Sequence, residues 1–245
     1  MNIAIIGYGK MGKAIEEVAI EKGSTVKKII TEEENYNSLA LTKQNLKNID
    51  VCIDFTTPSV VFDNIEAVAN AGKNIVVGTT GWFDKIEDVK KIVKKNNIGL
   101  LYSPNFSLGI NIFYRIINTA SSIFNNFDEY DMMVSEIHHK QKADSPSGTA
   151  LVLGQIITQN VKRKKEMLQE TARSKMKSDQ LHITSTRVGS CIGKHTVLFD
   201  SDFDCIELTH TAKNRRGFAL GALLAAEWLN GKKGVFTMKD VMTSI

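Results

Sequence analysis

Cysteine, proline and long apolar runs are all scarce in this chain, and each scarcity removes a class of protein. The 245 residues hold three cysteines, Cys52, Cys191 and Cys205. They are odd in number, widely spaced and set in apolar or strand-like surroundings. Neither a disulfide framework nor a metal cluster is therefore expected, and a reducing cytoplasm is the expected compartment. Three prolines and the absence of any low-complexity stretch argue against a disordered or fibrous chain. The longest apolar segment, GFALGALLAAEWL at residues 217–229, falls short of the ~18 residues a membrane span needs and reads as a buried helix. The N-terminal apolar run is short and leads into glycines, so it is a strand and not a signal peptide. Charge of one sign is also lacking: 31 Lys and Arg stand against 27 Asp and Glu, a formal +4. That excess is too small for nucleic acid without a concentrated basic stripe. The one candidate stripe, VKRKKEMLQETARSKMK at residues 161–177, has no interleaved aromatics and reads as a solvated helix and loop face. The remaining class is a globular protein of one or two domains, with neither nucleic acid nor membrane as a partner.

What is present begins at the N-terminus. In MNIAIIGYGKMGKAIEEVAIEKG an apolar run at residues 3–6 meets Gly7, Gly9 and Gly12, and a helical pattern follows at once. This is the dinucleotide fingerprint GxGxxG in its strand, turn and helix setting. Gly7 makes the tight turn, Gly9 lets the backbone approach a pyrophosphate, and Gly12 allows the helix to pack on the strand. Strand and helix signals then alternate. Strands are expected at 25–30, 51–55, 74–77 and 99–102. Helices are expected from Thr57 and Pro58 to residue 71 and over 84–95, whereas 32–48 is polar and vague. The alternation predicts a parallel sheet with helices on both faces. Ligands in such sheets bind at the carboxyl ends of the strands, which here carry Asp54 to Thr57 and the turn Gly78, Thr79, Thr80 and Gly81. Specificity between NADH and NADPH stays open. Glu32 stands at the usual distance for a ribose contact, but Thr31 is nearer the strand end and Lys10 lies in the loop itself.

After Pro104 the pattern changes. A helix is expected over 108–124, a strand over 130–137, a helix from Thr149, and strands over 183–188, 196–199 and 205–211 without helices between them. This predicts a second, mixed or antiparallel sheet with helices on one face. The last helix, 218–229, is apolar nearly all round and has to pack between other elements. Between strand and helix lies EIHHKQKADSPSGTA, residues 136–150. His138, His139 and Lys142 can point into one pocket. Ser147, Gly148 and Thr149 open a helix whose amides and dipole suit an anion such as a dicarboxylate substrate, a role compatible with capping.

Together with GTTGW (78–82), SPNFSLGIN (103–111) and RVGSCIGKHTV (187–197), these segments closely resemble the dihydrodipicolinate reductase family of bacterial lysine biosynthesis, and HHKQKADSPSGTA is the most specific of them. The resemblance implies an α/β fold. A Rossmann-like nucleotide domain (1–105 and 217–245) would carry an inserted α+β substrate and oligomerisation domain (106–216), with hinges near 105 and 216. It implies reduction of 4-hydroxy-tetrahydrodipicolinate with NADH or NADPH, by hydride addition at C4 of an imine formed on loss of the 4-hydroxyl, followed by protonation. His138 would be the proton donor, a role suited to a histidine. Lys142 would be a second catalytic cation, His139 and Ser147 substrate contacts, and Gly148 with Thr149 a carboxylate cradle. The cofactor site would gather Gly7, Tyr8, Gly9, Lys10, Met11, Gly12, Glu32, Gly78, Thr79, Thr80, Ser103, Pro104, Asn105 and Phe106, with Arg215 at the second hinge. The glycine loop is one residue shorter than in GxxGxxG members. The resemblance also implies a homotetramer, of which exposed strand edges support self-association alone. Three other readings stand beside it. A hydrolase would use Ser147, though GxSxG is lacking and no third group is evident to orient a base. A cofactor-binding regulator without turnover would need no HHxxK loop. Another amino-acid dehydrogenase is the nearest rival among oxidoreductases.

Overall fold

A computed structural model describes residues 1–244. In chain order, β1 (Asn2–Ile6), α1 (Lys10–Glu21), β2 (Thr25–Ile30), β3 (Val51–Asp54), α2 (Val61–Asn70), β4 (Asn74–Val77), α3 (Ile86–Asn96) and β5 (Gly99–Tyr102) form the first series. Then follow α4 (Leu108–Phe124), β6 (Asp131–His138), α5 (Gly148–Asn160), β7 (Glu166–Leu168), β8 (Gln180–Arg187), β9 (Lys194–Asp200) and β10 (Cys205–Thr211). The chain ends with α6 (Arg216–Leu229), β11 (Gly234–Thr237) and α7 (Met238–Thr243). Two compact units result, Met1–Asn111 with Arg215–Ile245, and Ile112–Asn214.

The first unit is built on a six-stranded parallel sheet in the order β11-β5-β4-β3-β1-β2. Its central strands are apolar nearly throughout, polar residues such as Asn74 and Asp54 at their ends excepted, because both faces are covered. Ile3, Ile5, Ile53, Val76 and Leu101 face α1, α6 and α7. Ala4, Ile6, Cys52, Ile75, Val77 and Leu100 face α2 and α3. Helix α6, apolar nearly all round, packs as its composition requires, burying Ala219, Ala222, Leu223, Ala225, Ala226 and Leu229. Its small residues allow a close approach: a Cβ on Gly221 would lie 1.8 Å from the Phe106 carbonyl oxygen. The strand order reverses between β2 and β3, on either side of β1, so the loops after β1 and β3 flank the switch point where such sheets bind ligands.

Three details differ from expectation. Helix α2 starts at Val61, not beside Thr57, whose carbonyl accepts from the Val60 and Val61 amides in the preceding turn while its hydroxyl bonds Ser59. Residues 32–48 form turns, including the 3-10 turn Tyr36–Ser38, pinned by buried Leu41 and Leu46 and by the adjoining Ile49. Past α6, where the sequence predicts no further element, β11 adds a parallel edge to β5, and α7 is opened by a capping box of Thr237 and Asp240.

The second unit is a mixed five-stranded sheet, β10-β9-β6-β8-β7. Strands β6, β8 and β7 are parallel, and β9 and β10 antiparallel. Helix α5 lays Ala150, Leu153 and Ile157 on Val134, Leu181, Ile183, Val197 and Phe199. At about 25 cal/mol per Å², each such side chain contributes on the order of 1.5–3 kcal/mol. Strand β7 lies inside the basic stretch expected to be solvated, and Lys164 there is only 2% exposed. Its ammonium donates to the carbonyls of Ser178 and Gln180 and pairs with Asp131 at 2.6 Å. That cation is a structural clamp, because three oxygens replace its water.

Candidate active site

The nucleotide loops are assembled by backbone fit. Gly7 has φ +87°, and a Cβ there would come 2.5 Å from the Phe55 carbonyl oxygen. A Cβ on Gly12 would meet the Gly7 carbonyl oxygen at 2.3 Å, so the turn and the first turn of α1 interlock. A Cβ on Gly9 would meet nothing within 4 Å, which leaves the open approach a pyrophosphate needs. Gly9 is the N-cap of α1, makes no side-chain cap and is followed by no acidic residue in the first turn. The dipole and first amides therefore face outward uncompensated, as an anion site requires. Lys10 is exposed beside them, Met11 is half-buried, and the half-buried Tyr8 hydroxyl is held by Glu16.

The other two loops are tied to this one through Asp54, fully buried at the end of β3. Its Oδ1 accepts from the Thr56 amide at 3.1 Å, the Thr56 hydroxyl at 2.8 Å and the Thr79 hydroxyl at 3.0 Å, while Oδ2 accepts from Asn64 at 2.9 Å. Burial pushes the Asp54 carboxyl up, and these donors oppose the rise only in part. Thr79 is thus committed to the scaffold, and Thr80 is the exposed hydroxyl of that turn. A Cβ on Gly78 would strike the Phe55 ring at 2.2 Å, so glycine is needed there for packing. Ser103 is buried and its hydroxyl bonds the Asn105 carbonyl, Phe106 is 2% exposed against Phe55, and Pro104 is exposed. Glu32 is exposed just past β2, next to a turn in which Thr31 and Glu34 bond each other. Arg215 is exposed at the N-cap of α6.

The second cluster lies wholly in the second unit and follows from strand register. On β6 the side chains of Met132, Val134, Glu136 and His138 share the buried face. Register puts Glu136 opposite His195 of β9, and His138 opposite Arg187 of β8. The Glu136 carboxylate, 0% exposed, receives the Arg187 guanidinium at 2.9 Å and the Ser147 amide at 3.0 Å on Oε1. Its Oε2 lies 2.7 Å from His138 Nδ1. That contact is close but bent, at ion-pair distance without the alignment of a straight hydrogen bond. Burial alone would raise the Glu136 carboxyl, but His138, Ser147, Ser185 and Arg187 together outweigh it and hold it well below the usual carboxylate range. His195, 4% exposed, is pushed down to about 4 by burial and by His138, and is neutral at physiological pH.

The loop after β6 brings Lys142 and Asp144 together at 2.7 Å. Burial would raise the Asp144 carboxyl, yet Lys142 and the Gly148 amide hold it down, so a carboxylate of the protein sits at the start of α5. His139 is half-buried. Ser147 is 2% exposed: its amide serves Glu136, and its hydroxyl accepts from the Ala150 amide and lies 3.2 Å from His195 Nε2. The Thr149 hydroxyl bonds Tyr114. His138 is 7% exposed in this network, as the last residue of β6 and not in the connection between strand and helix where sequence set it.

Sequence reasoning assigned no role to Glu136, Arg187 or His195, although all three lie in the segments it singled out. Alternation along β6 was the available signal for Glu136. Contrary to expectation, a third group does orient a histidine: Glu136 does so for His138. The hydrolase reading still fails on geometry, because Ser147 and Glu136 both face Nε2 of His195, at 3.2 and 3.8 Å, whereas a triad needs the acid on the opposite nitrogen. Three donor atoms of Glu136, His138 and His195 lie within 4.8 Å of one another, a grouping that cysteine spacing could not foretell. The Arg187 guanidinium already neutralises the carboxylate, which makes the cluster a poor competitor for a cation.

Similarity to known proteins identifies the family. Residues 1–106 match the family model for the N-terminus of dihydrodipicolinate reductase, and residues 109–242 match the one for its C-terminus. A 4-hydroxy-tetrahydrodipicolinate reductase of Christiangramia forsetii is 42% identical over 100% of this chain and 99% of its own. One of Archaeoglobus fulgidus is 35% identical over 99% of this chain and 100% of its own. Among solved structures, dipicolinate-bound dihydrodipicolinate reductase from Paenisporosarcina sp. TG-14 superposes with a TM-score of 0.77, at 25% identity, over 97% of each chain. The chain belongs to the dihydrodipicolinate reductase family.

Proposed function

We propose that this chain reduces 4-hydroxy-tetrahydrodipicolinate to tetrahydrodipicolinate in the diaminopimelate route to lysine. The observation that carries the reading is the pairing, in one chain, of an uncapped glycine turn fit for a pyrophosphate with a histidine held by a buried carboxylate next to a lysine and a helix start. The reaction consumes one substrate, one reduced nicotinamide and one proton, and yields the product, oxidised nicotinamide and water. Bound at the first unit, the nicotinamide supplies the hydride. The chain's residues do the rest. Gly7, Gly9, Gly12 and the first amides of α1 hold the pyrophosphate, with Tyr8, Lys10 and Met11 around it, and the turns of Gly78 to Thr80 and Ser103 to Phe106 complete the floor. Lys142, His139 and the helix start at Ser147 to Thr149 hold the substrate carboxylates, and His138 delivers the proton. Because the Ser147 amide and hydroxyl already serve Glu136, Ala150 and His195, Ser147 shapes the cradle, and Gly148 and Thr149 present it.

Both NADH and NADPH are accepted in this reading, since Glu32 can take a ribose hydroxyl while Lys10 can meet a phosphate. Arg215 contributes near the cofactor. We also propose a homotetramer held through the second unit, where Phe203 is 83% and Ile206 42% exposed beside the β10 edge. A monomer by light scattering at micromolar concentration would remove that proposal. A cytoplasmic location accords with the lack, among the described residues, of any helix long and apolar enough to cross a membrane.

The test is consumption of reduced nicotinamide when pyruvate and aspartate semialdehyde are condensed in situ to supply the substrate. Wild-type protein should oxidise the nicotinamide only when the condensation runs. His138→Gln should lower turnover by about 10²- to 10⁴-fold with nicotinamide affinity unchanged. Lys142→Met should lower turnover and raise the substrate requirement. No oxidation by the wild-type protein would reject the assignment, and ester or amide turnover without nicotinamide would favour a hydrolase.

A further inference from the structure

We infer that Glu136 is the positioning residue of this site, its carboxylate holding a proton on Nδ1 of the His138 ring so that Nε2 is the nitrogen that takes up the second proton, as the imidazolium, and delivers it to the substrate. The inference rests on the role proposed for His138, but its geometry stands independently. Side chains two apart on a strand share a face, so β6 itself brings the pair together. Oε2 lies 2.7 Å from Nδ1, and Nδ1 has no other hydrogen-bond partner among the described residues. An ionised carboxylate can only accept, so the nitrogen facing it has to carry the proton.

A glycine stands beside the opposite nitrogen of the ring, where any side chain would crowd it. A Cβ on Gly193 would come 2.9 Å from His138 Nε2. The charged and titratable groups facing the ring are Glu136 on its own strand, Arg187 opposite it on β8 and His195 on β9 with ring centroids 5.0 Å apart, while Lys142 and Asp144 pair with each other in the following loop. Arg187 and the Ser147 amide occupy Oε1. Glu136 therefore joins the proton donor to the first residue of the anion cradle, and the two are held as one unit.

Glu136→Gln separates positioning from mere support. The amide oxygen can still accept from Arg187 and Ser147, but the amide nitrogen then faces Nδ1 and donates, which forces the proton of the neutral ring to Nε2. Proton-detected nitrogen correlation spectra of histidine-labelled full-length protein, recorded with the rings neutral, read this directly. The expected result is Nδ1–H for His138 in the wild type and Nε2–H in Glu136→Gln. Turnover of the variant should fall about 10²- to 10⁴-fold, the scale of a wrong-tautomer defect, with the KM for reduced nicotinamide unchanged. A wild-type His138 protonated on Nε2 overturns the inference, whether or not the variant folds. So does a folded Glu136→Gln with wild-type turnover. The Nδ1–H tautomer in a wild-type protein that oxidises no nicotinamide would support the Glu136 arrangement and reject the proposed reaction instead.

Discussion

Acidification should loosen the second unit by an amount set mainly by one residue, His195. This ring is 4% exposed, packed by His138 and joined to Ser147, and burial with the neighbouring His138 lowers it from 6.5 to about 4. The unfolded chain therefore binds a proton on this residue below pH 6.5, while the folded one refuses it until about pH 4. In that window the unfolded state holds more protons, so stability rises with pH, and it is lost as pH falls from 6.5 toward 4. Linkage between the two values gives a loss of about 2 kcal/mol on going from about pH 7.5 to about pH 5, roughly thirty-fold in the opening equilibrium. Both tryptophans, Trp82 and Trp228, lie in the first unit, so their emission does not report this transition. Hydrogen exchange of β6, β8 and β9 peptides by mass spectrometry does, after correction for the intrinsic pH dependence of exchange. The control is His195→Gln, which removes the titration and leaves Glu136 and His210 in place. The wild type should lose about 2 kcal/mol more protection than the variant across the window. Equal losses in both would refute the assignment of a buried, neutral His195.

Three further outcomes follow from contacts elsewhere in the molecule. Asp144 holds Lys142 and the Gly148 amide where a substrate carboxylate is proposed to bind; Asp144→Asn should lower the substrate KM about two-fold with turnover unchanged, the effect of the roughly 0.5 kcal/mol of an exposed ion pair, read by steady-state kinetics. Glu32→Ala should weaken NADH by about 1 kcal/mol and leave NADPH unaffected in titration calorimetry, and equal affinities before and after would make Glu32 a solvated surface residue. Gly221→Ala sets a Cβ 1.8 Å from the Phe106 carbonyl oxygen and should cost about 1–3 kcal/mol in urea unfolding followed by tryptophan emission.

The parts legible in sequence are those whose signals are local. Gly7, Gly9 and Gly12 follow one another within a strand, turn and helix, so their spacing alone states the geometry. The near-continuous apolar composition of α6 and of the central strands likewise gives their burial. What was missed depends on pairing across long separations. Arg187 reaches Glu136 from 51 residues away, and His195 meets it through the register of β9 on β6. Alternation from Met132 put Glu136 on the inner face, but a carboxylate there makes sense only once its partners are known. Lys164 was misjudged for the same reason, because the oxygens that hold it belong to β6, the β8 approach and Ser178. Strand β11 and helix α7 escaped because Gly234–Thr237 is only four residues long and gains its stability from pairing with β5.

The central claim is that hydride comes from a nicotinamide bound at the glycine turn and the proton from His138. A single turnover with nicotinamide deuterated at the transferring position, with substrate condensed in situ and product read by mass spectrometry, tests it most directly. The account predicts tetrahydrodipicolinate carrying one deuterium at C4 from the wild type, and the same labelled product formed about 10²- to 10⁴-fold more slowly by His138→Gln. Product without deuterium, or a folded His138→Gln that matches the wild-type rate, would contradict it.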